Sequence, residues 1–562
     1  MTTDSSTIDD RQADVAVPLD TLLTGAASRP SLPGRELGSW LVALARRPRS
    51  TTDRLLELVQ ELAAIALGRA ERGPSSRDRR FADPAWTTNP FLRRSVQLHL
   101  AATEKAVQLL ADADLDERSR QRLQLLVDNV GDALAPSNSL INPSALKETI
   151  DTGGLNLVRG LRNLAGDLSR APRVPSMVDT SGFSLGENLA ATEGAVILRT
   201  PMFELIQYRP RTETVRAVPL LVVPPTINKY YVLDLAPQRS VIEFLLEQGQ
   251  QVFAVSWRNP TARHADWGLD SYINAVLEAK SAAENITGAD RAAVWGTCSG
   301  GIVAAMAAAY LAATNRADEI VALTLPVTVL DQARGGSASA LLDRSVADLA
   351  IAKSRRTGYL DGAALAELFA WLRPNDLIWN YWVNNYLLGR RPPAFDILYW
   401  NADTTRMPAG LHRDFLELSL ANKLVTAGDA TALGVPIDLG RITADAYVIG
   451  GVADHITPWQ SCYRTTRLLG GKTEFVLSNS GHVAALVNPP SNSKASFQHS
   501  SDCPPRSADF LASAETHQGS WWVHYAQWLG ARTGDLVPAP AELGRGNLAP
   551  LAPAPGTYVF DT

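Results

Sequence analysis

The sequence predicts an α/β fold, built on a mainly parallel sheet with helices on its faces and preceded by a mainly helical region. Beyond about residue 175, short runs rich in Val, Ile, Leu and Tyr alternate with stretches of helical periodicity, the pattern of βαβ units. Those runs are almost continuously apolar, as in a sheet covered on both faces. Before that point, apolar residues recur at helical spacing and no clear strand is visible.

Taken in order, residues 1–35 read as a polar N-terminal tail ending near the turn-rich RPSLPG. Residues 36–175 read as a helical domain, carried first by Leu41, Leu44, Leu55, Leu56, Leu58, Val59, Leu62 and Ile65 and resumed between Leu92 and Leu134. Residues 176–535 read as the sheet domain. Its strands are VILRT (196–200), ELIQYRP (204–210), VPLLVVPP (218–225), QVFAVSW (251–257), AAVWG (292–296), IVALTLPV (320–327), ADAYVIGG (444–451) and TEFVLSN (473–479). Helical, aromatic and loop segments at about 331–440 break the rhythm and read as an insertion. Residues 536–562 are rich in Pro and Ala and read as an irregular C-terminal tail.

Composition narrows the function. The 562 residues suggest more than one domain, and the net charge of −5 gives no general attraction for nucleic acid or anionic lipid. With 46% hydrophobic and 20% charged residues, the chain can bury a large core. Three cysteines, Cys298, Cys462 and Cys503, are too few for a disulfide framework at this length, which points to a reducing compartment. The acidic start MTTDSSTIDDRQADV is no signal peptide, and no apolar run is long enough to span a bilayer. A soluble, cytoplasmic protein is expected.

The sharpest local feature is Gly296-Thr297-Cys298-Ser299-Gly300, a G-x-C-x-G pentapeptide between a predicted strand and a predicted helix. Flanking glycines permit the tight turn that lifts a nucleophile above a sheet, and the following helix brings N–H groups and a positive dipole end to the sulfur. The plain alternative is a buried cysteine in a glycine turn. A nucleophile of this kind needs an acid and then a His further along the chain. Asp454 and His482 stand just beyond predicted strand ends, where open α/β sheets gather reactive groups. His455 is the rival imidazole, and its plain reading is a turn residue behind the aspartate. Oxyanion donors are expected at the backbone N–H of Ser299 and in the loop after VPLLVV, at Thr226 or Ile227, because the prolines there have no N–H.

These residues sit in longer blocks: DRRFADPAW, GENLAATEGAV, PPTINKYYVLDLAPQRSVIEFLLEQGQQVFAVSWRNP, WGTCSGG, LRPNDLIWNYWVNNYLLG, ADHITPW, SGHVAALVNPP and GSWW. Together they resemble the polyhydroxyalkanoate (polyester) synthases of the single-subunit class I/II type, from about Asp78 to Trp528. The resemblance implies a helical N-terminal domain and an α/β-hydrolase catalytic domain with a lid-like insertion. It implies polymerisation of (R)-3-hydroxyacyl-coenzyme A thioesters with release of coenzyme A, with Cys298 carrying the acyl group, His482 as general base and Asp454 as the third member. It also implies a homodimer working at the surface of polyester granules.

Finer expectations follow from the same resemblance. Ala484, the second residue after His482, and Thr328 lean toward short 3-hydroxybutyryl or 3-hydroxyvaleryl monomers. Arg373 is a candidate for a coenzyme A phosphate, with an ion pair to Asp376 as the alternative. Trp371, Trp379, Trp382 and Trp400, with Phe369, Tyr381, Tyr386 and Tyr399, either form a greasy lid or fill the core of a cap. No Walker loop, Cys/His metal motif or dinucleotide fingerprint is present, so neither cofactor nor metal is expected. Two other readings share part of this pattern: a Cys-nucleophile ester hydrolase, and a non-catalytic granule scaffold.

Overall fold

The computed structural model describes residues 34–562 except Arg77, residues 333–343, Arg373 and His455; most of the expected N-terminal tail therefore lies outside the described residues. Among the described residues, six main helices make up the N-terminal region: α1 (Gly34–Arg46), α2 (Pro48–Ala66), α3 (Pro90–Asp112), α4 (Glu117–Ala133), α5 (Pro143–Asp151) and α6 (Leu155–Leu168). Two of them begin with the same device. Asn89 and Asn142 accept hydrogen bonds from first-turn amides of α3 and α5, and each is followed by a proline whose missing N–H costs nothing there. Phe81, Trp86, Leu92 and Val96 form a small core, with Phe81 and Trp86 edge to face at 5.4 Å.

The sheet has eleven strands: β1 (Gly194–Arg199), β2 (Phe203–Tyr208), β3 (Leu220–Val223), β4 (Val252–Trp257), β5 (Ala292–Gly296), β6 (Ile320–Pro326), β7 (Asp445–Gly451), β8 (Thr473–Ser478), β9 (Ser496–His499), β10 (Glu515–Gln518) and β11 (Ala552–Pro553). Their order is β10-β9-β8-β7-β6-β5-β3-β4-β2-β1-β11. The strands from β8 to β4 in that order run parallel, and antiparallel strands extend both edges. Successive residues alternate between two cores, one on each face. Val294, Val448 and Phe475 pack with the helices α7 (Leu269–Thr287) and α8 (Ser299–Ala313); Trp295, Tyr447 and Val476 pack with α9 (Trp521–Gly530). Every strand expected from sequence is present. The edge strands β9, β10 and β11 escaped that reading because they are short and, in SFQH and ETHQ, polar.

Between β6 and β7 the chain leaves the sheet for a largely helical insertion that includes Gly362–Leu372, Asp396–Ala402 and Ala409–Leu420. Its aromatic segment docks on the N-terminal helices. Trp382 Nε1 donates to Asn138 O (3.0 Å), the Tyr386 hydroxyl to Asp167 (2.7 Å), and Asn156 Nδ2 to Leu387 O (2.8 Å). Trp379, Trp382 and Tyr386 are therefore interface packing, whereas the buried Trp400 joins the cluster that contains Cys298. Among the described residues, no helix is long and apolar enough to cross a membrane.

The C-terminal segment departs from the loose tail expected of its composition. Leu536–Pro538 pairs with Thr214–Arg216, and β11 closes the sheet edge against β1. The fully buried Glu204 accepts from Thr557 N (2.8 Å), Thr557 Oγ1 (2.8 Å) and Tyr558 N (2.9 Å). The buried Lys229 ammonium donates to the carbonyls of Val559 and Asp561. Composition foretold little regular structure but not these anchors, which rest on partners more than 300 residues away. Removing residues 552–562 strips both buried charges of hydrogen bonds, at a cost of about 3–5 kcal/mol. A truncated chain is expected to melt well below the full chain in a thermal scan.

Candidate active site

Cys298 stands at the C-terminal end of β5, with φ 52° and ψ −120°, as the N-cap of α8. That backbone is strained for a non-glycine residue and is held from both sides. Thr297 N–H donates to Val223 O and Cys298 N–H to Pro326 O, both at 3.1 Å, so the ends of β3 and β6 grip the turn. Close approach explains the glycines: a Cβ at Gly300 would collide with the Pro224 carbonyl, and one at Gly301 with the Thr328 side chain. Cys298 itself is 9% exposed.

Asp454 follows β7 and His482 follows β8, so three loops from neighbouring parallel strands meet at one edge. His482 Nδ1 lies 2.7 Å from Asp454 Oδ2, and the Cys298 thiol acts on the same ring, favouring its charged form. Asp454 is buried and accepts from Ile456 N (2.8 Å), Thr457 N (2.9 Å) and Thr457 Oγ1 (2.6 Å). Burial alone would push its carboxyl up. The facing imidazole and these hydrogen bonds outweigh burial and hold it below the usual carboxylate range. Burial likewise disfavours an imidazolium at His482, yet the Asp454 carboxylate dominates and pushes it up to about 10. The couple's contribution to stability is thus complete below the ordinary imidazole value of about 6.5 and fades as pH rises through about 10. Asp454 sets the acid limit, since its contribution is lost as pH falls through its lowered value. In Asp454→Asn, burial is opposed by Cys298 alone, and the His482 imidazole is expected to titrate well below its wild-type value in an NMR pH titration.

Thr457, which sequence reading missed, touches both partners: its Oγ1 is 2.6 Å from Asp454 Oδ2 and 3.1 Å from His482 Nδ1. Its signal was the Asp-x-x-Thr spacing of ADHITP, a turn in which a hydroxyl and amides fold back on the carboxylate. Trp521 and Trp522, in GSWW, steady the short helix His482–Leu486, with their indole N–H groups on Ala485 O (2.8 Å) and Leu486 O (3.2 Å).

Two expectations need correction. Thr226 is no free amide donor, because its N–H (2.9 Å) and its hydroxyl (3.0 Å) both point to the buried Ser299 Oγ. The next residue, Ile227, precedes Asn228, whose φ of 68° turns the loop and whose N–H is anchored on Thr405 Oγ1 at 2.7 Å. Thr328 is turned inward beneath the start of helix α8. It is fully buried, its Oγ1 donates to Pro326 O at 3.0 Å, and it packs beneath the cysteine turn. The Ser299 N–H lies in the first turn of α8, where amides have no intrahelical acceptor. Ala484 is exposed on the His482 helix. Arg373 and the rival His455 lie outside the described residues. Cys462 is fully buried, bonded through Sγ to Thr457 O (3.6 Å), and its thiol is pushed well up by burial. It has the environment of a structural cysteine rather than a nucleophile.

The chain is similar to known proteins over most of its length. A family model described as the poly-beta-hydroxybutyrate polymerase (PhaC) N-terminus matches residues 77–245, and the alpha/beta hydrolase fold matches residues 219–489. The chain is 45% identical to poly(3-hydroxyalkanoate) polymerase 1 of Ectopseudomonas oleovorans over 92% of either chain. It is 45% identical to polymerase 2 of the same organism, over 94% of this chain and 95% of that one. The poly(3-hydroxyalkanoate) polymerase subunit PhaC of Cupriavidus necator is 40% identical over 88% of this chain and 85% of its own length.

Proposed function

Because the chain belongs to the poly(3-hydroxyalkanoate) polymerase family, we propose that it polymerises (R)-3-hydroxyacyl groups through a thioester on Cys298. The observation that carries this reading is the strained turn that sets Cys298 beside an imidazole whose proton-bearing form a buried carboxylate favours, so that the ring draws the thiol proton. His482 takes the thiol proton, and the thiolate attacks the carbonyl of the coenzyme A thioester. The oxyanion is met by the N–H groups of Ser299 and Ile227. The imidazolium then protonates the departing coenzyme A sulfur. One thioester replaces another, so the acyl group stays activated. In the second half, His482 deprotonates a hydroxyl of a monomer or chain end, which attacks the acyl–sulfur carbonyl and returns the proton to the cysteine cycle. Asp454, locked by Thr457, fixes the ring through Nδ1 and leaves Nε2 for these transfers. The near-complete burial of Cys298 supports the exclusion of water, which would otherwise end each chain.

Incubation with 3-hydroxybutyryl-coenzyme A tests the reading when thiol release and insoluble polymer are followed together. Both should rise in step; soluble hydroxy acid with no polymer would make the protein a hydrolase instead. The short side chain of Ala484, two residues from the imidazole, supports a preference for 3-hydroxybutyryl and 3-hydroxyvaleryl monomers, now without help from the buried Thr328. Turnover is expected to fall on going to eight- and ten-carbon thioesters, and faster turnover of those would reverse the assignment. The exposed Leu55, Leu56 and Val59 of α2, and Leu155, Val158 and Leu161 of α6, support an apolar contact of the N-terminal region with a second copy or a granule surface in the cytoplasm.

A further inference from the structure

Far from the cysteine turn, Glu474 on β8, His499 on β9 and His524 on α9 bring three ligand-type atoms within 4.8 Å of one another. We propose that they bind a divalent transition metal, with zinc the best fit, which staples the sheet edge to the C-terminal helix. His499 Nε2 lies 3.3 Å from Glu474 Oε2. Two ligands about 2.0–2.1 Å from a tetrahedral ion are about 3.3–3.4 Å apart, so this pair already spans one edge of such a site. That nitrogen is buried against this carboxylate, out of reach of solvent. The Tyr447 hydroxyl meets His524 Nδ1 at 2.8 Å, an outer bond of the kind that orients a metal-binding imidazole on its other nitrogen. The His499 and His524 rings are 4.5 Å apart, and the exposed His517 ring lies 6.2 Å from His499. Residues 474, 499 and 524 are far apart in sequence, which is why no metal motif is visible there. Glu474 sits near the start of β8 and His482 beyond its far end, so the ion would act on stability rather than on the acyl transfer.

The test uses the full chain with its affinity tag removed and with Cys298→Ala, so that the reactive thiol holds no zinc. After stripping with a chelator, the protein is titrated with zinc against a chromophoric competitor and melted with and without the metal. One zinc per chain and a raised Tm are expected. Glu474→Gln and His524→Gln should each weaken zinc binding by at least about 10²-fold, and Tyr447→Phe by about tenfold. Tyr447→Phe leaves the three ligands in place and decides the matter should a ligand variant fail to fold. No zinc at micromolar concentration, or unchanged affinity in the variants, overturns the proposal; a lower Tm in the variants without any zinc effect would reduce the cluster to an ion pair.

Discussion

Cys298→Ala is expected to release no coenzyme A above background and to make no polymer, a loss of roughly 10⁵-fold or more, while its fold and melting temperature stay close to wild type. The expectation is this severe because nothing near Cys298 can take over. Cys462 is fully buried, held by the Thr457 carbonyl, and has its thiol pushed up; the Ser299 hydroxyl already accepts both bonds from Thr226. The fold should survive, since alanine removes one sulfur and leaves the bonds from Thr297 and Cys298 amides to Val223 and Pro326 intact. Cys298→Ser is the informative contrast. A serine at this point can be acylated in principle, but it gives an oxygen ester that a hydroxyl attacks with far less driving force. Slow single-turnover labelling without elongation is therefore expected. Polymerisation by Cys298→Ala near the wild-type rate would remove this sulfur from the mechanism.

Gly300→Ala should be nearly as damaging to turnover by a different route. The added methyl would run into the Pro224 carbonyl, with Val223 O also close, and backbone cannot yield as a side-chain tip can. Either the cysteine turn or the Pro-Pro-Thr-Ile loop must shift, which separates Cys298 from His482 or moves the Ile227 amide off the carbonyl oxygen. Displacements of about 1 Å at such sites cost about 10² in rate, and losing an oxyanion donor costs about 10²–10³. A fall of about 10³ or more in turnover is expected, with a stability loss of about 1–3 kcal/mol for the overpacking. The readout is turnover measured beside a denaturant melt; a variant with full activity would contradict the close approach.

Much of this site was legible before the fold was known. The pentapeptide around Cys298 announces itself because glycines are needed where backbones touch, and Asp454 and His482 because open sheets deliver reactive groups at strand ends. What could not be read depends on contacts made across the fold. Thr328 resembles a pocket residue in sequence, but folding turns its hydroxyl under the cysteine turn. Thr226 and Ile227 are equivalent donors on paper, and only the Ser299 hydroxyl separates them. The aromatic insertion admitted two readings, and docking divides it: Trp379, Trp382 and Tyr386 go to the N-terminal helices, Trp400 to the cysteine's cluster. The C-terminal segment and the Glu474–His499–His524 cluster rest wholly on partners distant in sequence, for which local composition carries no signal.

The central claim is that the growing chain hangs from one sulfur. It is tested most directly by mixing the enzyme briefly with 3-hydroxybutyryl-coenzyme A, quenching in acid and mapping the digested chain by mass spectrometry. One or more 3-hydroxybutyryl units on the peptide that contains Cys298, and no such adduct on Cys462 or Cys503, is the predicted result. Acyl groups found on another residue, or coenzyme A released with Cys298 unmodified at every quench time, would contradict it.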